Sequence, residues 1–146
     1  MLSFVVVGRG WRSLAVLPLM VLLACSSPSE PGDVAVAFEV LGHLSDPLAS
    51  AVEVDVAGAL ILEGSITSPC VPYDAHARAR TDGTSVTLTV IGEATGSCPM
   101  DAIDELSYRA MLTGLSSGKH MVRVVHTYAD ANWPDLDVLN EPVIVP

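Results

Sequence analysis

The sequence predicts an all-β protein whose main body is a single antiparallel β-sandwich of seven or eight short strands. Apolar and polar residues alternate with a period of two along most of the chain, which is typical of strands with one buried face. Turn-forming residues recur about every ten residues. Helices do not alternate with these strands, as they would in a parallel sheet, so the pattern favours a sandwich.

The first three strands are read from alternating segments. Valine and phenylalanine occupy every second position of Val34–Leu41, and Ser45–Pro47 supplies the turn that ends this strand. Val52–Val56 alternates valines with two carboxylates, which predicts a half-buried strand. Leu60–Ile66 places its leucines, glycine and isoleucine on one face. We therefore expect a second and a third strand joined by a short turn.

The clearest pair is a hairpin. Tyr73–Arg80 alternates tyrosine and alanines with charged residues, and Ser85–Ile91 alternates valine and leucine with threonine. The alanines would also suit a helix. However, Asp82-Gly83 between the two segments is a strong hairpin signal, and threonine with valine fits a pleated surface. Two adjacent strands are the prediction.

The second half of the domain contains three more strands. Leu106–Leu112, His120–His126 and Val138–Val145 alternate in the same way. Met100–Leu106 has room for one short helical turn. Pro142 cannot donate a ladder hydrogen bond, which predicts that the last strand lies at an edge or contains a break.

A local motif gives the predicted sandwich a more specific form. Leu112, Leu115, Gly118 and His120 precede alternating valines. This spacing resembles the E–F corner of fibronectin type III and other immunoglobulin-like domains, where a tyrosine hydroxyl bonds to backbone upstream. The resemblance implies an immunoglobulin-like sandwich in which His120 replaces the tyrosine as a packed corner residue. His126 is expected at the rim of the sheet.

The first 24 residues have the parts of a cleaved export signal. Arg9 and Arg12 provide positive charge, and the twelve residues Ser13–Ala24 form an apolar run. A membrane-spanning helix needs about 20 apolar residues, so this run is too short. An uncleaved anchor, or an ordinary signal peptide cut elsewhere, remains an alternative.

The run ends in Leu22-Leu23-Ala24-Cys25, which resembles the lipobox of bacterial lipoproteins. The resemblance implies a diacylglycerol on the Cys25 thiol and an acyl chain such as palmitate on its amine. Two or more chains make a stable membrane anchor. The protein would then belong to the cell envelope, and Ser26 implies the outer membrane if the host has two. The whole chain also resembles small envelope lipoproteins with one sandwich domain, a resemblance that carries no known activity.

The sequence therefore divides into three parts: a signal peptide (1–24), a lipidated cysteine with a flexible tether rich in proline and serine (25–33), and the sandwich domain (34–146). Loss of Arg9 and Arg12 leaves five basic against 17 acidic residues, a formal charge of −12. Such a surface repels nucleic acid and suits solubility, cationic partners or a weak calcium site.

Cys70 and Cys98 are the cysteines left for a disulfide bond in an oxidising compartment. Closing this loop would stabilise the domain by roughly 3.5 kcal/mol in the chain-entropy model. A pair of redox thiols is the alternative, although the Cys-x-x-Cys spacing typical of such thiols is missing.

Nothing in the sequence predicts an enzyme. No Gly-x-Ser-x-Gly nucleophile motif is present, and the four histidines lack the close spacing of zinc ligands. Paired carboxylates would need a deeper cleft than a small sandwich offers to act as a glycosidase. We therefore predict no catalytic residue, no metal ligand and no cofactor.

The best candidate for recognition is the polar segment Tyr128–Asp137, which contains the one tryptophan of the domain. Exposed tryptophans stack on sugars or anchor protein partners. The candidate binding residues are Tyr128, Asp130, Asn132, Trp133, Asp135 and Asp137. The segment also partly matches a calcium-binding EF-hand loop, but a proline replaces one oxygen ligand and an aspartate the required glycine. A tryptophan folded over the end of the sandwich is the other alternative.

These observations predict a lipid-anchored envelope protein that acts as a non-catalytic binding or interaction module. An envelope protein or a glycan would be its partner, in addition to the membrane. The alternatives are a purely structural envelope lipoprotein and a carbohydrate- or calcium-binding module.

Overall fold

The structure is a computed structural model that describes residues 34–69, 72–97 and 103–146. Eight strands occur in these ranges, which agrees with the predicted seven or eight. They are β1 (Ala35–Gly42), β2 (Ala51–Val54), β3 (Leu60–Ser68), β4 (Tyr73–Asp82), β5 (Ser85–Ala94), β6 (Asp104–Thr113), β7 (Gly118–Tyr128) and β8 (Leu136–Val145).

The strands form two four-stranded sheets that pack face to face. Sheet A has the order β1-β6-β3-β2 and sheet B the order β4-β5-β7-β8. Strand β1 lies against β4, and β2 lies against β8. The inward side chains of both sheets form one apolar core, so the all-β sandwich predicted from the alternation is confirmed.

One strand pair departs from the purely antiparallel prediction. In the described ranges five of the six pairs are antiparallel, whereas β5 and β7 run parallel. The physical reason is that β6, which separates them in sequence, belongs to the opposite sheet. The chain reverses twice between β5 and β7, so the two strands point the same way.

The strand order does not confirm an immunoglobulin-like topology. In constant-type immunoglobulin sandwiches the first strand lies beside the second. Here β1 pairs with β6, and β2 lies at the far edge beside β3. At the position of the predicted corner, His120 is 3% exposed, and its Nε2 donates a hydrogen bond of 2.8 Å to the Ser116 carbonyl oxygen. The predicted packing of His120 is thus present, and its ring bonds to backbone four residues upstream.

Other sequence predictions are corrected or lie outside the described residues. Strand β6 begins at Asp104, so residues 104–106 are extended and do not belong to a helical turn. The signal peptide, the tether with Cys25, Cys70 and Cys98 all lie outside the described ranges. Within those ranges no helix is long and apolar enough to cross a membrane.

The predicted hairpin is present as β4 and β5, with Asp82 paired to Ser85. The turn residues are Gly83 and Thr84, and Gly83 has a φ of +59°. A positive φ at the first central residue alone is the pattern of a type II′ turn, which matches the twist of a hairpin. Glycine meets this requirement without steric cost.

Tyr108 of β6 provides a buried polar contact between the two sheets. Its hydroxyl shares a hydrogen bond of 2.9 Å with Nε2 of His126 on β7, and both residues are buried. Its ring stacks on Phe38, with 5.6 Å between the ring centroids. A Cβ atom on Gly64 would lie 2.7 Å from the hydroxyl oxygen, so only glycine leaves space for it. One tyrosine therefore packs against Gly64 of the neighbouring strand and bonds to the opposite sheet.

The expectation that His126 lies at the rim of the sheet is wrong. It is 2% exposed and faces inward with Val122 and Val124, because side chains two residues apart on a strand share a face. Burial lowers the pKa of His126 to about 4, and it raises the pKa of Tyr108. The imidazole is therefore neutral at physiological pH.

This burial predicts an acid-dependent loss of stability. In the unfolded chain His126 binds a proton near pH 6.5, but in the folded protein only near pH 4. The unfolded state binds more protons between these values, so the free energy of unfolding should fall by about 3 kcal/mol as the pH drops from about 6.5 to about 4.

The measurement is chemical denaturation at several pH values. The matched control is the double variant Tyr108→Phe, His126→Leu, since replacing both partners by apolar groups of similar shape is often nearly neutral. The control retains every carboxylate, and the difference between the two curves isolates His126. Parallel curves for the control and the native protein would contradict the assignment.

Candidate functional site

The predicted binding segment connects β7 to β8 and is folded onto the end of the sandwich. The Trp133 indole contacts the Tyr128 ring edge to face, with 5.0 Å between centroids and an interplanar angle of 71°. Tyr128 packs against the core, while Trp133 remains 39% exposed. The structure thus combines both sequence interpretations: the tryptophan lies over the sandwich end, and part of its surface stays open to a partner.

Two of the predicted carboxylates are already bonded within the protein. Asp130 Oδ2 accepts a hydrogen bond of 2.8 Å from the Ala94 amide, which ties the loop to the end of β5. Asp137 accepts two hydrogen bonds from Arg123, of 2.5 Å and 2.7 Å. These bonds lower the pKa of Asp137 and raise that of Arg123. Calcium binding at these two carboxylates would compete with these internal bonds.

The other members of the segment point to no common ligand. Asn132 and Asp135 are exposed. Among the described residues, no group of three histidine, cysteine, aspartate or glutamate side chains is arranged to hold a metal ion. The segment therefore offers a partly exposed aromatic side chain, an exposed amide and an exposed carboxylate.

A tyrosine on β4 extends the aromatic group at this end. The Tyr73 ring lies over Gly92, where a Cβ atom would come within 2.6 Å of the ring. The Tyr73 hydroxyl is buried and has no hydrogen-bond partner among the described residues. Burial, and then the neighbouring Tyr128 and Asp130, raise its pKa to about 12. This end of the sandwich therefore combines aromatic rings with nearby acidic side chains.

The structure adds a cleft that the sequence did not predict. It lies on the outer face of sheet B and has a volume of about 350 Å³. Its lining residues are Arg78, Thr87, Thr89, Arg123, Val125, Thr127, Asp135 and Asp137. We call it the sheet B cleft. Asp135 and Asp137 belong to the predicted segment, which therefore forms one wall of the cleft.

Strand register explains how the other side chains meet. Thr89 of β5 lies between Arg78 of β4 and Val125 of β7. In the next row Thr87 lies between Arg80 and Arg123. Neighbouring strands are about 4.8 Å apart, so side chains in one row are in contact range. The outward position of each residue follows from alternation, but the strand order decides which residues are neighbours.

The cleft is polar, and its two arginines are balanced by its two aspartates. Three of its lining residues are threonines, and Val125 is its one apolar member, buried to 8% exposure. Arg123 is fixed by Asp137. In the described part of the chain Arg78 and Arg80 make no ion pair, so both guanidinium groups keep their hydrogen-bond donors available.

Searches for similar proteins give no further guidance to the site. No family model, curated protein sequence or solved structure matches this chain.

Proposed function

We propose that this chain is a lipid-anchored protein of the cell envelope whose sandwich is a non-catalytic binding or interaction module. The lipid is attached to Cys25, and in a host with two membranes the protein belongs to the outer one. The observation that carries the binding role is the sheet B cleft, which adjoins the loop that bears Trp133. A purely structural envelope lipoprotein is the alternative.

The position of the N-terminal strand supports a role in presenting this surface. Ala35, the first residue of β1, pairs with Thr113 at the end of β6. The loop between β7 and β8 lies at the other end, where Tyr128 pairs with Gly92 near the end of β5. Strands of nine or ten residues span roughly 30 Å. A lipid on Cys25 would thus hold the Trp133 end away from the membrane.

The chemistry of the cleft favours binding over catalysis. His120 and His126 are buried in the interior, and neither lines the cleft. The cleft offers hydroxyl, guanidinium and carboxylate groups, which suit hydrogen bonding to a ligand. We also propose that the chain at His120 resembles the corner of immunoglobulin-like domains, and the bond of His120 to Ser116 supports this. The proposal covers this corner and not the strand order.

A Cys70–Cys98 disulfide is part of this proposal. The described residues that flank the two cysteines support it, because the Thr95 amide donates a hydrogen bond of 3.2 Å to the Pro72 carbonyl oxygen. A bridge would staple the two loops at the Trp133 end.

We expect the native protein to show no alkylatable thiol at Cys70 or Cys98 and the reduced protein to show both. Mass spectrometry after alkylation measures this directly, with and without a reductant. Reduction should also lower the free energy of unfolding by roughly 3.5 kcal/mol. Two alkylated cysteines in the unreduced native protein would contradict the bridge.

The lipid anchor is tested by Cys25→Ser. The variant should lack the mass of the acyl groups and should no longer partition into the detergent phase, because the acylated thiol is the anchor. Cys70→Ser serves as the control and should partition like the native protein. Full detergent partitioning of Cys25→Ser would mean that another segment holds the protein to the membrane.

The binding role is tested by Trp133→Ala with crosslinking in intact cells and mass spectrometry of the joined species. The native protein should capture a dominant partner, and the variant should lose it, since tryptophans often dominate binding energy. Met111→Ala on the outer face of sheet A is a matched control, because Met111 is 42% exposed. Both variants must keep the native unfolding profile.

Equal capture by Trp133→Ala and the native protein would favour the structural alternative. Measurable hydrolysis of envelope substrates by the purified protein would contradict both.

A further inference from the structure

Positive charge in this acidic domain is concentrated on one face. Five basic residues lie in residues 34–146, and all five are described. Arg109 alone points outward from sheet A, where it bonds to Glu63 at 2.6 Å. The other four are exposed at alternate positions on the outer face of sheet B: Arg78, Arg80, Lys119 and Arg123.

The register of the sheet B strands brings three of these residues, all arginines, close together. Arg78 and Arg80 are two residues apart on β4, so their Cα atoms are about 7 Å apart. Arg123 is in the same row as Arg80, two strands away, at roughly 10 Å. The threonines of β5 lie between them. The face therefore presents cationic forks separated by hydroxyl groups.

Acidic residues limit this group to the middle of the face. Asp74 pairs with Glu93 in the row nearest the aromatic end, and Asp82 ends β4 at the hairpin. Both oxygens of Asp137 are occupied by Arg123. Asp135 is exposed at the wall of the cleft. An anionic group would thus be attracted to the centre of the face and repelled from its ends.

We propose that the outer face of sheet B binds an anionic glycan, a sugar chain that bears carboxylate or phosphate groups. Arg78 and Arg80 receive its acidic groups, because a guanidinium fork matches both chemistries with paired hydrogen bonds. Thr87, Thr89 and Thr127 bond to its hydroxyl groups. This inference rests on the proposed binding function and names its ligand class.

Cleft composition favours a glycan over an acidic protein. Cores of protein interfaces are enriched in aromatic and other apolar side chains. The sheet B cleft has one apolar member, Val125, and three hydroxyl groups that suit the many hydroxyls of a sugar.

The test is calorimetric titration of the full-length protein in detergent micelles with defined probes. Oligogalacturonate supplies carboxylates, and a phosphorylated dextran supplies phosphates. Neutral dextran and polyglutamate of matched size are the comparisons. We expect at least one of the anionic sugars to bind, and we expect the two comparison polymers to bind weakly or not at all. The sugar that binds more tightly shows whether the site prefers carboxylate or phosphate groups.

Two variants and a control assign the binding to this face. Arg78→Gln with Arg80→Gln should weaken sugar binding at least about tenfold, since two charge-assisted contacts are lost. Thr89→Val should weaken it by about three- to tenfold through the lost hydroxyl. Arg109→Gln on sheet A removes one positive charge outside the cleft and should leave the affinity unchanged.

The results separate this inference from the function on which it rests. Polyglutamate binding as tight as that of the sugars would overturn the glycan in favour of an acidic protein. Unchanged affinity of the double arginine variant would overturn the site. Failure of both anionic sugars to bind would overturn the inference. If in-cell crosslinking through the Trp133 loop still captured a partner, the binding function would remain; without such capture, both would fall.

Discussion

The parallel pairing of β5 with β7 is the constraint on which the candidate site depends. It brings the hairpin of β4 and β5 beside the pair of β7 and β8, and it sets Thr87 and Thr89 next to Arg123 and Val125. Another strand in this position, or another register, would place different side chains beside these threonines. The sheet B cleft is thus a product of topology more than of any local motif.

That pairing requires the chain to cross to sheet A and return. Strand β6 makes this crossing, and its Tyr108 bonds to His126 on β7. The bond joins the crossing strand to the strand that follows it, between two buried side chains. A buried polar pair of this kind is costly if it is incomplete, because either partner alone loses its hydrogen bond without regaining water. The pair therefore favours one alignment of the two sheets over shifted ones.

Alternation in the sequence was sufficient to predict the strands but not their neighbours. The inward and outward positions of β4, β5 and β7 agree with the period-two pattern. The same pattern contained the signal for His126, which shares a face with two core valines, yet a buried histidine needs a partner. That partner, Tyr108, lies 18 residues away on the other sheet, and no local pattern reveals it.

The binding segment shows the same division between local and long-range information. Its tryptophan and carboxylates were visible in the sequence, but their roles depend on contacts made elsewhere. Asp130 reaches the end of β5, and Asp137 reaches Arg123 across a strand pair. Both carboxylates thereby act as ties that shape the loop, which explains why an acidic segment need not bind a cation.

The charge distribution follows from this arrangement. Asp137 holds Arg123 over the cleft through two hydrogen bonds. Arg78 and Arg80 on the edge strand, in contrast, have no acidic partner among the described residues. Surface ion pairs contribute little to stability, and charged side chains on an edge strand such as β4 also discourage pairing with another chain. The anionic ligand proposed for this face would give Arg78 and Arg80 the acidic partners that they lack among the described residues.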